Sequence, residues 1–356
     1  MEYKIALLAG DGIGPEITAE AVKVLDAVGS RFGHSFVYTR ALVGGAAIDE
    51  CGDPYPAETD AICKAADAIL FGAIGHPRFD NDPSAKVRPE QGLLRMRRSL
   101  GLFANIRPVE IFEALVDRSP LRREVIEGAD FVVVRDLTGG LYFGERGRNA
   151  DGDAAFDTCT YTRTEVDRIL RKGFEMAGKR RGRLTVVDKA NVLETSRLWR
   201  ERARALEKEY PTVTVDYMFV DNAAMQIVTR PSAFDVVVTE NMFGDILTDE
   251  ASVITGSLGM LPSASVGTEH ALCEPIHGSY PQAAGRNIAN PMATILSAAM
   301  MLDHLGLSTE AAAVRSAVNR ALEAGVVTED IAADSAAAVG TSVVGDYLCA
   351  AAAAAN

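Results

Sequence analysis

Apolar residues recur along the chain with two alternating periods. Residues 4–9, apolar throughout 5–9, read as a buried strand, and a glycine loop follows with Pro15 suited to the first helical turn. Ile17, Ala21, Val24, Leu25 and Val28 then share one helical face, which Gly29 is expected to close. The same reading predicts strands at 36–39, 68–71, 131–134, 184–187, 213–219 and 234–238. Helices are predicted at 58–66, 163–177, 192–209 and 310–324, the last ended by Gly325. Such alternation indicates an α/β protein with helices covering a mostly parallel central sheet. Two stretches depart from it. Residues 137–161 interleave Gly139, Gly140, Gly144, Gly147 and Gly152 with Tyr142, Phe143, Phe156 and Tyr161, which suggests an extended two-stranded β-arm. Residues 350–355 are all alanine and read as a frayed helical end.

Charge narrows the function classes. The 356 residues hold 49 acids against 36 Lys and Arg, a net of −13, which argues against a nucleic-acid-binding protein. The length favours two core-forming units. The N-terminus lacks the basic head and apolar length of a signal peptide, and no run reaches the roughly 18 apolar residues of a membrane span. Five scattered cysteines with no CxxC pair suggest neither a disulfide framework nor a thiolate metal site. A reduced cytoplasmic protein is expected. The basic run Lys179, Arg180, Arg181, Arg183 reads as a solvated turn.

Several motifs carry possible chemistry. The loop Gly10-Asp11-Gly12-Ile13-Gly14-Pro15 is not a dinucleotide fingerprint, because its third glycine comes one position early and the next strand ends at Thr39 and Arg40 rather than at an acid. A Rossmann fold is therefore rejected, and the loop stays open between a tight turn and a ligand contact. In Asn241-Met242-Phe243-Gly244-Asp245-Ile246-Leu247-Thr248-Asp249, the two aspartates stand four apart and face the same way on a helix. With Asp221 after the neighbouring strand they make an oxygen set suited to Mg²⁺ or Mn²⁺, although an acid pair at this spacing is equally an exposed helix face. Arg97, Arg107 and Arg135 are read at or near strand ends, where guanidinium forks could meet the carboxylates of a small polyanion; Arg95 and Arg98 are expected to face solvent. Lys189 between strand and helix is a candidate base, and Tyr142 on the arm a candidate acid or a packing residue. The segments Glu274-Pro275-Ile276-His277-Gly278-Ser279 and Gly285-Arg286-Asn287-Ile288-Ala289-Asn290-Pro291 could cradle a nucleotide through backbone N–H groups.

Together these motifs resemble the isocitrate/isopropylmalate family of β-decarboxylating dehydrogenases, most closely its isopropylmalate branch. The likeness runs from Gly10 to the Asp330 region and is most specific in Thr138-Gly139-Gly140-Leu141-Tyr142-Phe143-Gly144, residues 241–249 and residues 274–291. The resemblance implies the two-domain fold of that family. A cofactor domain of residues 1–103 and 256–356 would contain both termini, and an inserted substrate, metal and dimerisation domain of 104–255 would include the arm 137–161. It implies oxidation and decarboxylation of (2R,3S)-3-isopropylmalate to 4-methyl-2-oxopentanoate in leucine biosynthesis, with NAD and Mg²⁺ or Mn²⁺. Asp221, Asp245 and Asp249 would hold the metal. Glu90, Leu93, Leu94, Arg97, Arg107, Arg135, Asn191, Val192 and Asp221 would contact substrate. Ile13, Glu274, Pro275, His277, Gly278, Ser279, Tyr280, Gln282, Asn290 and Asp330 would contact NAD. Lys189 would take the hydroxyl proton, its pKa lowered by nearby positive charge, and Tyr142 would protonate the enolate. It further implies a homodimer in which Lys189 and Asp221 reach the partner's site.

Leu93 and Leu94 look like the pair that contacts the isopropyl group, which counts against isocitrate, homoisocitrate and tartrate. One departure touches the cofactor: where NAD-using members commonly carry Pro-Asp, this chain has Pro281 and the neutral Gln282, while the lysine and tyrosine of NADP-using relatives are absent. Two readings of other classes compete. A metal-dependent hydrolase would use Asp221, Asp245 and Asp249 around a water but leaves 274–290 unexplained, and an inactive binding module would not require base, acid, arginines and carboxylates together.

Overall fold

Hydrophobic spacing and glycine turns are realised, in a computed structural model describing residues 1–80 and 86–354, as strands separated by helices. The strands are β1 (Glu2–Gly10), β2 (Ser35–Arg40), β3 (Ala68–Ala73), β4 (Ala104–Glu110), β5 (Asp130–Asp136), β6 (Arg146–Arg148), β7 (Ala155–Asp157), β8 (Arg183–Asp188), β9 (Thr214–Phe219), β10 (Val236–Thr239), β11 (Pro262–Val266) and β12 (Ala271–Pro275). Two compact units result. One comprises Met1–Leu102, Phe112–Arg118 and Gly256–Asn356; the other comprises Phe103–Ile111 and Ser119–Thr255.

In the first unit the strand order is β2-β1-β3-β12-β11, parallel except for the antiparallel pair β11 and β12. Every residue of β3 is buried, as expected of a strand covered on both faces. The helix Gly14–Phe32 packs against Thr341–Ala353, and Met292–His304 packs against Ser308–Glu323. Met292–His304 is apolar nearly all round and buried nearly all round, so it shows no one-sided periodicity in the sequence. The alanine tail continues the last helix to Ala353, and Ala355 lies outside the described residues.

The second unit has the order β4-β5-β10-β8-β9, with β4 antiparallel to β5 and the rest parallel. Its core gathers Phe131, Phe174 and Trp199, with Tyr161 packed edge-on to Trp199 at 5.4 Å between ring centroids. Register aligns the carboxyl ends: Thr239 of β10 stands opposite Arg135 of β5 and Val187 of β8, and Asp188 stands opposite Phe219 of β9. The arm forms as the short antiparallel pair β6 and β7.

Several local expectations change. The first helix does not close at Gly29 but runs to Phe32, where Gly33 adopts the left-handed φ of 76° that ends it. The helix expected from residue 192 begins at Glu194, because the N–H groups of Val192 and Leu193 both donate to the Lys189 carbonyl in a turn; after Leu206 it tightens into a 3₁₀ turn, Glu207–Glu209. Arg97 lies in the helix Pro89–Ser99 and Arg107 in the middle of β4, so neither is at a strand end.

The basic run is not simply a solvated turn. Asp235 is fully buried and accepts from Arg180 Nε at 2.9 Å and from the Arg183 backbone N–H at 3.1 Å, while Arg180 and Arg181 both also bind Asp130. A buried carboxylate deprived of its cation is costly. Arg180→Ala is expected to lower the unfolding free energy of this unit by about 3 kcal/mol. Exposed Lys179→Ala should change it little. Denaturant titration followed by the fluorescence of Trp199, the chain's sole tryptophan, compares the two, and equal midpoints would remove the clamp from the account.

Candidate active site

At the carboxyl ends of β5 and β10, the second unit assembles a polar cluster. Arg135, the penultimate residue of β5, is nearly fully buried; its Nε and Nη2 donate to Asn241 Oδ1 at 3.2 and 2.8 Å, and its Nη1 pairs with Asp245. The Tyr142 hydroxyl donates to the other Asp245 oxygen at 2.9 Å, so the arm returns its phenol to the same aspartate. Burial, followed by the hydrogen bond to that carboxylate, raises the Tyr142 pKa and keeps the phenol protonated. Arg107, reaching from β4, donates to Asn105 Oδ1 at 2.7 Å, to Thr248 Oγ1 at 2.7 Å and to Asp249 at 3.3 Å. Asp245 and Asp249 share the helix Asn241–Val253, and Asp249 is the more open, at 73% against 35%.

A second cluster forms where β8 and β9 end. Lys189 Nζ donates to Asp221 Oδ1 at 2.7 Å, and this bond holds the Asp221 carboxyl below its ordinary range. Beneath it the buried Asp188 accepts a fork from Arg200, both bonds at 2.8 Å, and the Lys189 backbone N–H donates to Ser196. The partner of the Lys189 amine in the structure is thus an acid, whereas the sequence reading gave it positive neighbours. Asn191 and Val192 follow in the exposed turn. Among the described residues no three acid, histidine or cysteine side chains converge as a metal site: Asp245 and Asp249 share one helix while Asp221 is bound to Lys189.

The first unit contains a cavity of about 500 Å³ lined by Ile13, Gly278, Tyr280 and Asn290 together with His277 and Asp330. Loop amides that a phosphate would need are already used: the N–H groups of Asp11, Ile13 and Gly14 donate to Ala73, Ser279 and Asp11 carbonyls. The Asp11 side chain accepts from the N–H groups of Gly45 and Ala46, which open the short helix Gly45–Cys51, and of Gly75, so it clamps the loop after β1 to both segments. Asp330 accepts from Ser257, Asn290 and Thr328. Burial depresses the His277 pKa, leaving a neutral ring, and its buried Nε2 has no partner. A mostly apolar cavity with one unmatched ring nitrogen and a fixed carboxylate at its wall suits a nucleoside. Exposed Gln282 sits in the 3₁₀ turn Pro281–Ala283, next to Tyr280, whose φ of 39° is left-handed.

On the helix Pro89–Ser99, Leu94 is exposed, Leu93 packs partly onto the core, and Glu90 lies near Gly75. Arg97 donates to Glu274 at 3.1 Å, tying this helix to β12 and Pro275; its Nε has no partner. Sequence reading missed Asn105 and Asp188, and it missed Thr248 and the orienting role of Asn241 because their partners Arg107, Arg135 and Gly139 are remote along the chain. The family model described as isocitrate/isopropylmalate dehydrogenase matches residues 4–348. The 3-isopropylmalate dehydrogenase of Bacteroides fragilis is 59% identical over 348 residues, covering 98% of this chain and 98% of that protein. That of Bacillus subtilis is 57% identical over 338 residues, covering 93% and 92%. Among solved structures, isocitrate dehydrogenase from Methylococcus capsulatus superposes with a TM-score of 0.88 at 36% identity, covering 99% of this chain and 100% of its own.

At the root of the arm, Asp136 is buried and accepts from the N–H groups of Thr138 and Gly139 at 3.1 and 2.8 Å. Burial outweighs those bonds and pushes its carboxyl up to about 6. A raised acid pKa favours folding while the group is protonated, and that advantage is lost as pH climbs from the unfolded value through about 6. Asparagine imitates the neutral acid at every pH. Thermal melts should therefore show Asp136→Asn gaining on the parent by about 1 kcal/mol between about pH 5 and about pH 7.5; a difference independent of pH would contradict a neutral Asp136.

Proposed function

The chain belongs to the isocitrate/isopropylmalate dehydrogenase family, and from that premise we propose the reaction and the part each residue takes in it. The reaction is NAD-dependent oxidative decarboxylation of (2R,3S)-3-isopropylmalate to 4-methyl-2-oxopentanoate, a step of leucine biosynthesis. What carries this reading is the 59% identity to an isopropylmalate dehydrogenase over 98% of both chains.

When bound, the dinucleotide accepts the hydride and a divalent cation, Mg²⁺ or Mn²⁺, polarises the substrate oxygens. Lys189 takes the hydroxyl proton as the alcohol carbon becomes a ketone. The bond to the β-carboxylate then breaks, carbon dioxide leaves without its electron pair, and Tyr142 returns a proton to the carbon of the resulting enolate. The phenol hydrogen-bonded to Asp245 supports that donor role, since it stays protonated at neutral pH. Arg97, Arg107 and Arg135 bind the substrate carboxylates, and Glu90, Asn191 and Val192 also contact substrate.

Leu93 and Leu94 offer apolar surface to the isopropyl group. Discrimination against a substituent one methylene smaller is only about 1 to 3 kcal/mol, so ethylmalate should be a slow substrate. The cavity around His277 and Asp330 receives NAD, with Ile13, Glu274, Pro275, Gly278, Ser279, Tyr280, Gln282 and Asn290 near it. Asp245 and Asp249 are hard oxygen donors that fit a divalent cation, and Asp221 from a second copy completes the set. The working form is accordingly a cytoplasmic homodimer in which Lys189 and Asp221 serve the partner's site. No described helix is long and apolar enough to cross a membrane.

Purified protein with Mg²⁺ or Mn²⁺ should form NADH from 3-isopropylmalate but not from isocitrate or tartrate, and a chelator should abolish turnover. Oxidation of isocitrate instead would discard the leucine pocket. The efficiency kcat/KM should be higher with NAD than with NADP; equal values would show that Gln282 has erased the preference. Site sharing has its own measurement. Lys189→Ala and Asp249→Ala are each expected to be inactive, while isolated mixed dimers regain one intact site and about half the activity per dimer. Mixed dimers without activity would refute the sharing.

A further inference from the structure

We propose that Asn241 is a positioning residue that fixes the guanidinium of Arg135 for the substrate carboxylate, an inference that rests on Arg135 binding substrate as set out above. Asn241 opens the helix Asn241–Val253 and is 1% exposed. Its two amide ends meet groups of opposite kind. Oδ1 accepts both Nε and Nη2 of Arg135, while Nδ2 donates to the Gly139 carbonyl at 3.2 Å. Arginine has only donors and a carbonyl only accepts, so the carboxamide satisfies both in one orientation only. Aspartate lacks the donor for Gly139, and leucine, with the same branched skeleton, lacks both ends.

The amide is itself held. Its backbone N–H donates to the Tyr161 hydroxyl at 3.0 Å, that hydroxyl donates to Glu240 Oε2 at 3.2 Å, and Glu240 Oε1 accepts the Phe243 N–H at 2.8 Å. The aliphatic stem of Arg135 lies on Gly244, where a β-carbon would come within 2.5 Å of its Cγ. The guanidinium is thus fixed at its stem and along its Nε edge. Held in place, it meets a carboxylate without first losing side-chain freedom, so the expected consequence of losing Asn241 is weaker substrate binding.

The test is a double-mutant cycle on the KM for 3-isopropylmalate in Asn241→Leu, Arg135→Lys and the double variant. Each single change should raise KM about tenfold or more, and the double variant should be within about twofold of Arg135→Lys alone, because a lysine has no fork for Asn241 to hold. A purely structural role for Asn241 would instead make the two effects multiply, which overturns the proposal. An unchanged KM in Asn241→Leu beside an impaired Arg135→Lys also overturns it while leaving Arg135 as a substrate ligand. An unchanged KM in Arg135→Lys would overturn both. Trp199 fluorescence verifies folding of each variant, and if the leucine does not fold, Asn241→Ser, too short to bridge Arg135 and Gly139, completes the same cycle.

Discussion

Parallel strand pairing in the second unit is the constraint on which the chemistry depends. Neighbouring parallel strands end on the same side, and here the register brings those ends level to within a residue or two. Arg135, Lys189, Asp221 and the helix that begins at Asn241 all emerge along that line, although they span more than a hundred positions of sequence. Antiparallel β4 adds Arg107 from within the ladder, opposite Val133, and its side chain reaches the same helix at Thr248 and Asp249. A slip of one residue would turn each of these side chains to the other face.

Buried acids at strand ends recur as structural parts. Asp11 follows β1, Asp136 and Asp188 end β5 and β8, and Glu240 follows β10; the last three accept backbone N–H groups of the loop or helix that comes next, and Asp11 accepts those of Gly45, Ala46 and Gly75 farther along the chain. Such bonds satisfy amides that would otherwise be left unpaired at the turn, although at Asp136 and Glu240 burial still outweighs them and raises the carboxyl pKa. The acids proposed for chemistry, Asp221, Asp245 and Asp249, are instead partly or largely open and paired with a lysine, a tyrosine or arginines. In a chain with 49 acids the two kinds are alike in sequence.

Legibility followed the range of the interaction. Strands such as β3 and the helix Arg163–Gly178 were readable because burial on a fixed face writes a period of two or 3.6 into neighbouring positions. The helix Met292–His304 was not, since burial on all sides erases the period. The paired aspartates of the helix Asn241–Val253 could be placed on one face from spacing alone, while the clamp of Arg180 and Arg181 on Asp130 and Asp235 could not, because its acids come from the start of β5 and the residue before β10.

The sequence by itself determined the α/β class, the kinds of side chain available for base, acid, carboxylate and metal contacts, and the family to which these motifs belong, since each depends on residue type and local spacing. Only the tertiary structure decided which acids are clamps, which partner Lys189 keeps, and that Asn241 holds Arg135 across 106 positions. The physical reason is that hydrogen bonds and burial are set by atoms brought together in space, and the chain writes no period for contacts made at such separations.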